Sequence, residues 1–377
     1  MDNKLPQKLK VFCPDCGAEE WLSPQRFCCD CGGAWEIPVP ESFDPALITR
    51  VNHSIWRYKE LLTLGIDHPS VDLGVGMTPL ISSEIHGHTV HLKPEYFNPT
   101  GSFKDRGVSV MINYLAALGV TDIAEDSSGN AGASVAAHAA CAGMQANIYV
   151  PAYASPSKLA QIRVYGANLH PVEGPRVNAK QAAIAAVKNE GLVFASHAYQ
   201  PVYLLGQQTI GWEVWEQLGE KVPDWIIVPV GQGGLLLGFW LAFERLRMAG
   251  LTNKTPRLAA VQPENLAPLC RAFSLGADIV QEVSATQPSV AEGLAIANPV
   301  RGRRLLQALR ESGGTCITVS ESAILDAQQE LALRGLYVEP TSATVIAALK
   351  NIEHLVQKDD VIVIPLTGSG LKGSPKL

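Results

Sequence analysis

Lys104 sits in the stretch Asn98-Pro99-Thr100-Gly101-Ser102-Phe103-Lys104-Asp105-Arg106-Gly107, between a Gly-Ser turn and the expected start of a helix. Most lysines decorate solvated faces. This one follows an aromatic residue and a loop of small residues, a setting that can hold an amine beside a ligand. Burial favours the neutral amine, and a neutral amine condenses with an aldehyde to an imine. Two further loops could grip other parts of such a ligand. Ser127-Ser128-Gly129-Asn130-Ala131-Gly132 follows a short strand and opens a helix, so its backbone amides can face a carboxylate. Gly231-Gln232-Gly233-Gly234 follows the apolar run Ile226–Val230 and also opens a helix. Its glycines let N–H groups curl around a phosphate. A nucleotide is disfavoured there, because no Gly-Lys-Ser/Thr follows and Leu236 stands where GxGxxG needs its last glycine. Thr367 ends the apolar run Val361–Leu366 and begins Thr367-Gly368-Ser369-Gly370-Leu371-Lys372. Taken singly, Lys104 reads as a surface charge, Asn130 as a helix cap, and the glycine loops as turns.

The cysteines form a separate constellation. Cys13-Pro14-Asp15-Cys16-Gly17 and Cys28-Cys29-Asp30-Cys31-Gly32-Gly33 give two CxxC pairs, with eleven residues between Cys16 and Cys28. Each CxxC turn points two thiolates at one ion, and two turns supply the sulfur tetrahedron that Zn2+ prefers. The spacing selects Cys13, Cys16, Cys28 and Cys31, with Cys29 as a spare thiol competing with Cys28. A closed four-sulfur site serves folding or docking rather than catalysis. The remaining Cys141, Cys270 and Cys316 are scattered, unlike a disulfide scaffold, and a reducing cytoplasm is the expected setting.

These groups need a scaffold. The 377 residues exceed what one hydrophobic core usually serves, so two domains are expected. Hydrophobic content of 47% and charged content of 18% describe a globular chain. The net charge of −6 argues against nucleic acid as the main partner. No secretory signal or bilayer-spanning run is visible, so no membrane partner is expected. Residues 41–66 read as helical, anchored by Trp56, Tyr58 and Leu61. From Asp105 onward helices alternate with strands: strands at 122–126, 146–150, 168–172 and 192–195, then 225–230, 258–262 and 361–366. Helices of matching length lie between many of them, the last at 322–334. Such alternation implies βαβ units and mostly parallel sheets.

The motif around Lys104, the SSGN loop, the GQGG loop, Glu339-Pro340-Thr341-Ser342-Ala343 and TGSGLK together resemble the fold type II, tryptophan synthase beta-like, pyridoxal phosphate (PLP) enzymes. Within that family the chain is similar to the threonine synthase-like members, as are Gly206–Ile210 and Glu213–Leu218. The cysteine ribbon adds to the likeness. The resemblance implies an α/β fold of two domains with parallel sheets flanked by helices, plus a zinc ribbon. It places the ribbon and linker at 1–40, a large PLP-binding domain at 41–104 and 201–377, and a small inserted domain at 105–200. It implies that Lys104 binds PLP and moves protons, and that Asn130 meets the ring hydroxyl. Gly231, Gln232, Gly233 and Gly234 would take the phosphate, with Thr367 beside the pyridine nitrogen. Ser127, Ser128 and Gly129 would take the substrate carboxylate, with Thr100 and Ser102 on the substrate side.

The implied reaction is lyase chemistry, O-phosphohomoserine and water giving threonine and phosphate, in a cytoplasmic homodimer acting on a small-molecule amino acid. Three departures from the pattern concern the substrate. They are Gly174-Pro175-Arg176-Val177-Asn178, the dehydratase-like Gln232 and Gly234, and Ala291-Glu292-Gly293-Leu294-Ala295-Ile296. A phosphorylated substrate needs a second anion pocket, for which Arg106, Lys158, Arg163 and Arg176 are candidates. The alternatives are a serine, threonine or diaminopropionate ammonia-lyase, a cysteate synthase-like replacement enzyme, or a non-catalytic PLP or amino-acid binding protein.

Overall fold

Apolar runs bounded by glycine turns become the strands, and the small-residue and amphipathic stretches between them become the helices. The computed structural model describes residues 6–66 and 68–373. In chain order the strands are β1 (Lys10–Phe12), β2 (Glu19–Trp21), β3 (Ile81–Ile85), β4 (His88–Pro94), β5 (Asp122–Glu125) and β6 (Gln145–Pro151). They continue with β7 (Asn168–Val172), β8 (Val193–Phe194), β9 (Trp225–Pro229), β10 (Arg257–Pro263), β11 (Thr315–Val319) and β12 (Ile362–Leu366). The helices are α1 (Lys104–Ala117), α2 (Asn130–Cys141), α3 (Pro156–Val164), α4 (Arg176–Glu190) and α5 (Pro201–Gln217). After them come α6 (Gly234–Met248), α7 (Pro268–Ser274), α8 (Gly302–Glu311), α9 (Glu321–Leu333) and α10 (Pro340–Leu349).

The chain divides into two compact units. Unit 1 takes residues 1–38, 44–77 and 98–206, and unit 2 takes 39–43, 78–97 and 207–377. This partition differs from the expected insertion at 105–200, because the ribbon and residues 44–77 group with the smaller sheet.

Unit 1 is built on a four-stranded parallel sheet in the order β7-β6-β5-β8. The alanine-rich α2 packs on α1 and on β6, because small side chains let the helix approach closely. Helix α4 ends at Gly191, whose φ of 75° is the left-handed cap that glycine adopts without strain. The antiparallel hairpin β1–β2 carries the ribbon. Phe27 docks that ribbon on the sheet, with its ring 5.2 Å from Phe194 and 5.4 Å from Tyr199, both edge-on.

The region expected to be helical over 41–66 is corrected. It forms a short 3-10 turn at Pro45–Leu47 and a 3-10 helix at Ile55–Leu62, opened by Ser54. The expected anchors Trp56, Tyr58 and Leu61 are nonetheless buried there.

Unit 2 is built on a six-stranded sheet in the order β11-β10-β9-β12-β4-β3. All neighbours are parallel except the edge pair β3–β4. Every residue of β9 and β12 is buried, which explains why both read as unbroken apolar runs. Helix α10, backed by α9, packs on β9 to β12, while α6 and α8 pack on β10. The strand β12 is central, as its sequence predicts. Cys270 on α7 and Cys316 on β11 form a disulfide, where scattered free thiols were expected. The packing of α7 against β11 joins residues that are 46 apart in the chain. Among the described residues, no helix is long and apolar enough to cross a membrane.

Candidate active site

In unit 1 the functional groups collect at the carboxyl ends of β5 and β8 and at the start of α1. Parallel α/β sheets place ligands at this edge, where strand ends and helix N-termini converge. Lys104 is the first residue of α1, one turn earlier than the helix expected from Gly107. Its Nζ lies 4.9 Å from the centroid of the Phe103 ring and 6.0 Å from that of Tyr203. Two glycines set this neighbourhood. A Cβ at Gly107 would fall 2.3 Å from the Tyr203 ring, and one at Gly206 would fall 2.2 Å from the Arg106 carbonyl oxygen. The closeness of α1 and the start of α5 therefore depends on both lacking side chains.

The loop before Lys104 is held by Asp105, which sequence reasoning did not single out. Its carboxylate accepts from Thr100 N at 2.8 Å, Thr100 Oγ1 at 2.6 Å and Ser134 Oγ at 2.5 Å. Asn98 adds a second tie, accepting from Gly76 N at 2.9 Å. Thr100, expected on the substrate side, thus donates its hydroxyl to the loop's own carboxylate. Ser102 differs, because its Oγ is fully buried and has no hydrogen-bond partner among the described residues.

The SSGN loop leaves β5 and enters α2, with Asn130 as the first helical residue. No side chain caps this helix. Ser127 is buried and its Oγ accepts from Gly129 N at 3.3 Å. Gly132 is obligatory, since a Cβ there would sit 1.9 Å from the Ser127 carbonyl oxygen. Of the four candidate anion ligands, Arg106 is fully buried and Arg163 is exposed. Arg176, exposed at the start of α4, acts electrostatically on the acidic end of β5.

In unit 2 the corresponding features are the ends of β9 and β12, which are hydrogen-bonded parallel neighbours. The glycine loop leaves β9, and Thr367 follows β12, so the two come off adjacent strands on the same edge. Gly233 is the N-cap of α6 with φ of 81°, and no side chain caps the helix. A Cβ at Gly233 would fall 2.3 Å from Leu305, and one at Gly231 would fall 2.9 Å from the Gly293 carbonyl oxygen. Gln232 turns its side chain to the protein, accepting from Val300 N at 3.1 Å. The loop therefore offers backbone rather than side-chain groups.

Thr367 is buried, and its Oγ1 lies 2.9 Å from Ser342 Oγ. Ser342 also accepts from Gly368 N at 2.9 Å. The Glu339–Ala343 segment, to which the sequence assigned no role, is the brace that aims Thr367.

The ribbon brings four sulfurs together, but not the four expected from spacing. Cys13, Cys16, Cys29 and Cys31 have ligand atoms within 4.8 Å of one another. Cys13 and Cys31 are 3.5 Å apart, as are Cys16 and Cys29. Cys29 therefore replaces Cys28 in the expected set. The reason is the turn at Cys29–Gly33, where Cys29 N donates to Gly33 O at 2.9 Å and folds residue 29 inward. Gly33 permits this, since a Cβ there would fall 2.8 Å from the Cys13 sulfur. Tetrahedral zinc bonds of about 2.3 Å put sulfurs roughly 3.8 Å apart, which the cluster reaches with small adjustments.

Each unit by itself carries features that fit a part of PLP. In unit 1 a lysine opens α1 close in the chain to a buried hydroxyl without a partner among the described residues. In unit 2 a helix start without a side-chain cap follows a glycine cradle that has no room for a Cβ, the setting a phosphate needs.

Comparison with known proteins gives the same direction. A family model described as pyridoxal-phosphate dependent enzyme matches residues 71–368. The chain is 33% identical over 375 residues to a threonine synthase of Methanocaldococcus jannaschii, covering 96% of this chain and 92% of that protein. It is similar to the solved structure of maize serine racemase, at 27% identity and a TM-score of 0.68, over 78% of this chain and 88% of that one. It is also similar to the solved structure of a T.th. threonine deaminase, at 28% identity and a TM-score of 0.67, over 79% and 94% of the two chains.

Proposed function

The chain belongs to the pyridoxal-phosphate dependent enzymes, and from that membership we propose that it is a threonine synthase, acting on O-phosphohomoserine and water to give threonine and phosphate. One observation supports this choice over the racemase and deaminase alternatives. The chain is 33% identical to the Methanocaldococcus jannaschii threonine synthase over 96% of its length and 32% identical to that of Methanosarcina acetivorans over 96%, above the 27% and 28% identity to the racemase and deaminase structures.

The residues divide the work by their chemistry. PLP, when bound, supplies an aldehyde for the Lys104 amine and a ring that withdraws electrons from the substrate. Backbone amides of Gly231, Gln232, Gly233 and Gly234 at the start of α6 hold its phosphate. Asn130 meets the ring hydroxyl. Thr367, fixed by Ser342, presents a hydroxyl rather than a carboxylate to the ring nitrogen. A hydroxyl does not hold that nitrogen protonated, so electron withdrawal is moderate, which suits elimination and replacement over transamination. Amides of Ser127, Ser128 and Gly129 bind the substrate carboxylate, and Ser102 adds a hydroxyl beside Lys104. Lys104 takes and returns the protons at the reacting carbons. The Cys13, Cys16, Cys29 and Cys31 cluster holds a structural Zn2+ in the same proposal.

A substrate panel tests the reading. Release of phosphate and threonine from O-phosphohomoserine is expected, together with a visible absorption band from the bound cofactor that Lys104→Ala abolishes. Ammonia and a 2-oxo acid from serine or threonine, with no phosphate release, would replace the synthase reading by the ammonia-lyase one.

A further inference from the structure

The carboxyl edge of the unit 1 sheet holds two acid–base groups that none of the roles above employs. Glu125 closes β5, and His197 lies three residues past β8, its hydrogen-bonded parallel neighbour. The strand pairing brings His197 Nδ1 to 2.7 Å from Glu125 Oε1. The Glu125 side chain has no solvent exposure and that of His197 has 9%. Tyr203 links the pair to the lysine: its ring lies 6.2 Å from the His197 ring and 6.0 Å from Lys104 Nζ.

Other charged groups act on the pair. Asp126 follows Glu125 on the same strand end, Arg176 comes from α4, and Lys104 comes from α1. Lys180 of α4 acts on Asp126 and donates to the Tyr199 hydroxyl at 2.9 Å. Lys104 is the charge felt most strongly by both members of the pair after burial itself, Asp126 and Arg176 acting on His197 less.

We propose that Glu125 and His197 form a proton-sharing pair that governs the protonation of the Lys104 nitrogen: neutral as a unit while it holds its proton, anionic once that proton is lost. This rests on the cofactor reading above and deepens it, since a pair acting through Lys104 is a positioning element rather than a participant at the reacting atoms. Burial pushes the Glu125 carboxyl up to about 8, against the opposing charge of Lys104. Burial also lowers His197 well below its ordinary value, with Lys104 adding to the effect. At neutral pH the carboxyl therefore keeps its proton and donates it to Nδ1, which fixes the imidazole as the Nε2–H tautomer. An ion pair of carboxylate and imidazolium has the same proton count, so the unit is neutral in either description. Raising the pH through about 8 removes the shared proton and leaves a negative charge near Lys104. An anion there holds a proton on the lysine nitrogen that would otherwise leave.

The test uses the holoenzyme and the pH dependence of its bound-cofactor absorption band, which reports the protonation of the linked Lys104 nitrogen. Glu125→Gln cannot become anionic, so its band is expected to titrate about one pH unit lower than that of the wild type. A midpoint unmoved from the wild-type value, or moved upward, overturns the proposal. A second measurement needs no variant. Infrared difference spectra of the wild type should show the pair losing its one proton, from a carboxyl or an imidazolium band, over the same alkaline interval as the band shift, and a pair that loses no proton there would equally overturn the idea. A wild type with no cofactor band removes the cofactor reading itself, whereas an unmoved midpoint removes only the pair.

Discussion

Asp105 shows how a single side chain can fix the position of the reactive one. It is fully buried and accepts three hydrogen bonds, two from Thr100 and one from Ser134, so loop 98–103, the start of α1 and the middle of α2 share one carboxylate. Hydrogen bonds to a charged acceptor are stronger than neutral ones, and removing the acceptor leaves donors stranded in the interior. Asp105→Asn retains the size but must turn an amide N–H toward one of those donors. The expected loss is about 2–3 kcal/mol of stability. Thermal unfolding of the cofactor-free protein measures it, and Ser134→Ala should cost less, about 1 kcal/mol, because it strands no charge. Equal unfolding temperatures for Asp105→Asn and the wild type would show that the loop is held by its backbone alone.

At the scale of elements, the phosphate loop is shaped by a helix that the sequence reading passed over. The strands β9 and β12 were legible because burial on both faces demands unbroken apolar runs such as Ile226–Val230 and Val361–Leu366. Lys104 and the loops were legible only together, because each taken singly is an ordinary surface charge, cap or turn, and their joint resemblance to one family's motifs marked them. Helix α8 and strand β11 were not foreseen. Strand β11, Thr-Cys-Ile-Thr-Val, is mixed in burial and short, and α8 is strongly basic on one face. The signal was present in Leu305, Leu306 and Leu309, spaced for one apolar face, and all three are buried. Residues 41–66 misled in the other direction, since the buried anchors Trp56, Tyr58 and Leu61 sit on a 3-10 helix of eight residues rather than on an α-helix. His197 gave no signal at all, because its partner Glu125 is 72 residues away and only sheet pairing joins them.

The missed helix has a consequence for Gly233. Its φ of 81° excludes ordinary side chains, and Leu305 of α8 occupies the place a Cβ would take. Gly233→Ala is expected to strain the turn by about 1–2 kcal/mol and to weaken PLP binding at least about tenfold, read by cofactor titration. Adding Leu305→Ala removes the collision but not the backbone strain, so affinity should recover only in part. Full recovery would assign the whole effect to the collision.

At the scale of the whole molecule, the ribbon lies outside residues 71–368 that the family model matches, yet it is joined to the sheet carrying the Glu125–His197 edge. Phe27 stands between the cysteine turns and packs on Phe194 of β8 and on Tyr199, either side of His197 in the chain. A metal that closes the ribbon therefore stabilises the approach to that edge without touching the chemistry. The cysteines make the argument testable, because spacing and structure disagree on the fourth ligand. Cys28 completes a CxxC pair, but Cys29 joins Cys13, Cys16 and Cys31, while Cys28 is half-buried near Lys188. Cys28→Ser should leave about one zinc per chain, and Cys29→Ser should leave almost none, as measured by elemental analysis of purified protein. Zinc loss should lower the unfolding temperature of the cofactor-free chain, since the metal contributes to folding only in the closed ribbon. Phe27→Ala should keep the zinc and still destabilise, by about 2 kcal/mol, because it removes the aromatic contacts but none of the sulfurs. Zinc retained in Cys29→Ser and lost in Cys28→Ser would return the site to the pairing that spacing alone selects, and with it the inward turn at Cys29–Gly33 would have to open.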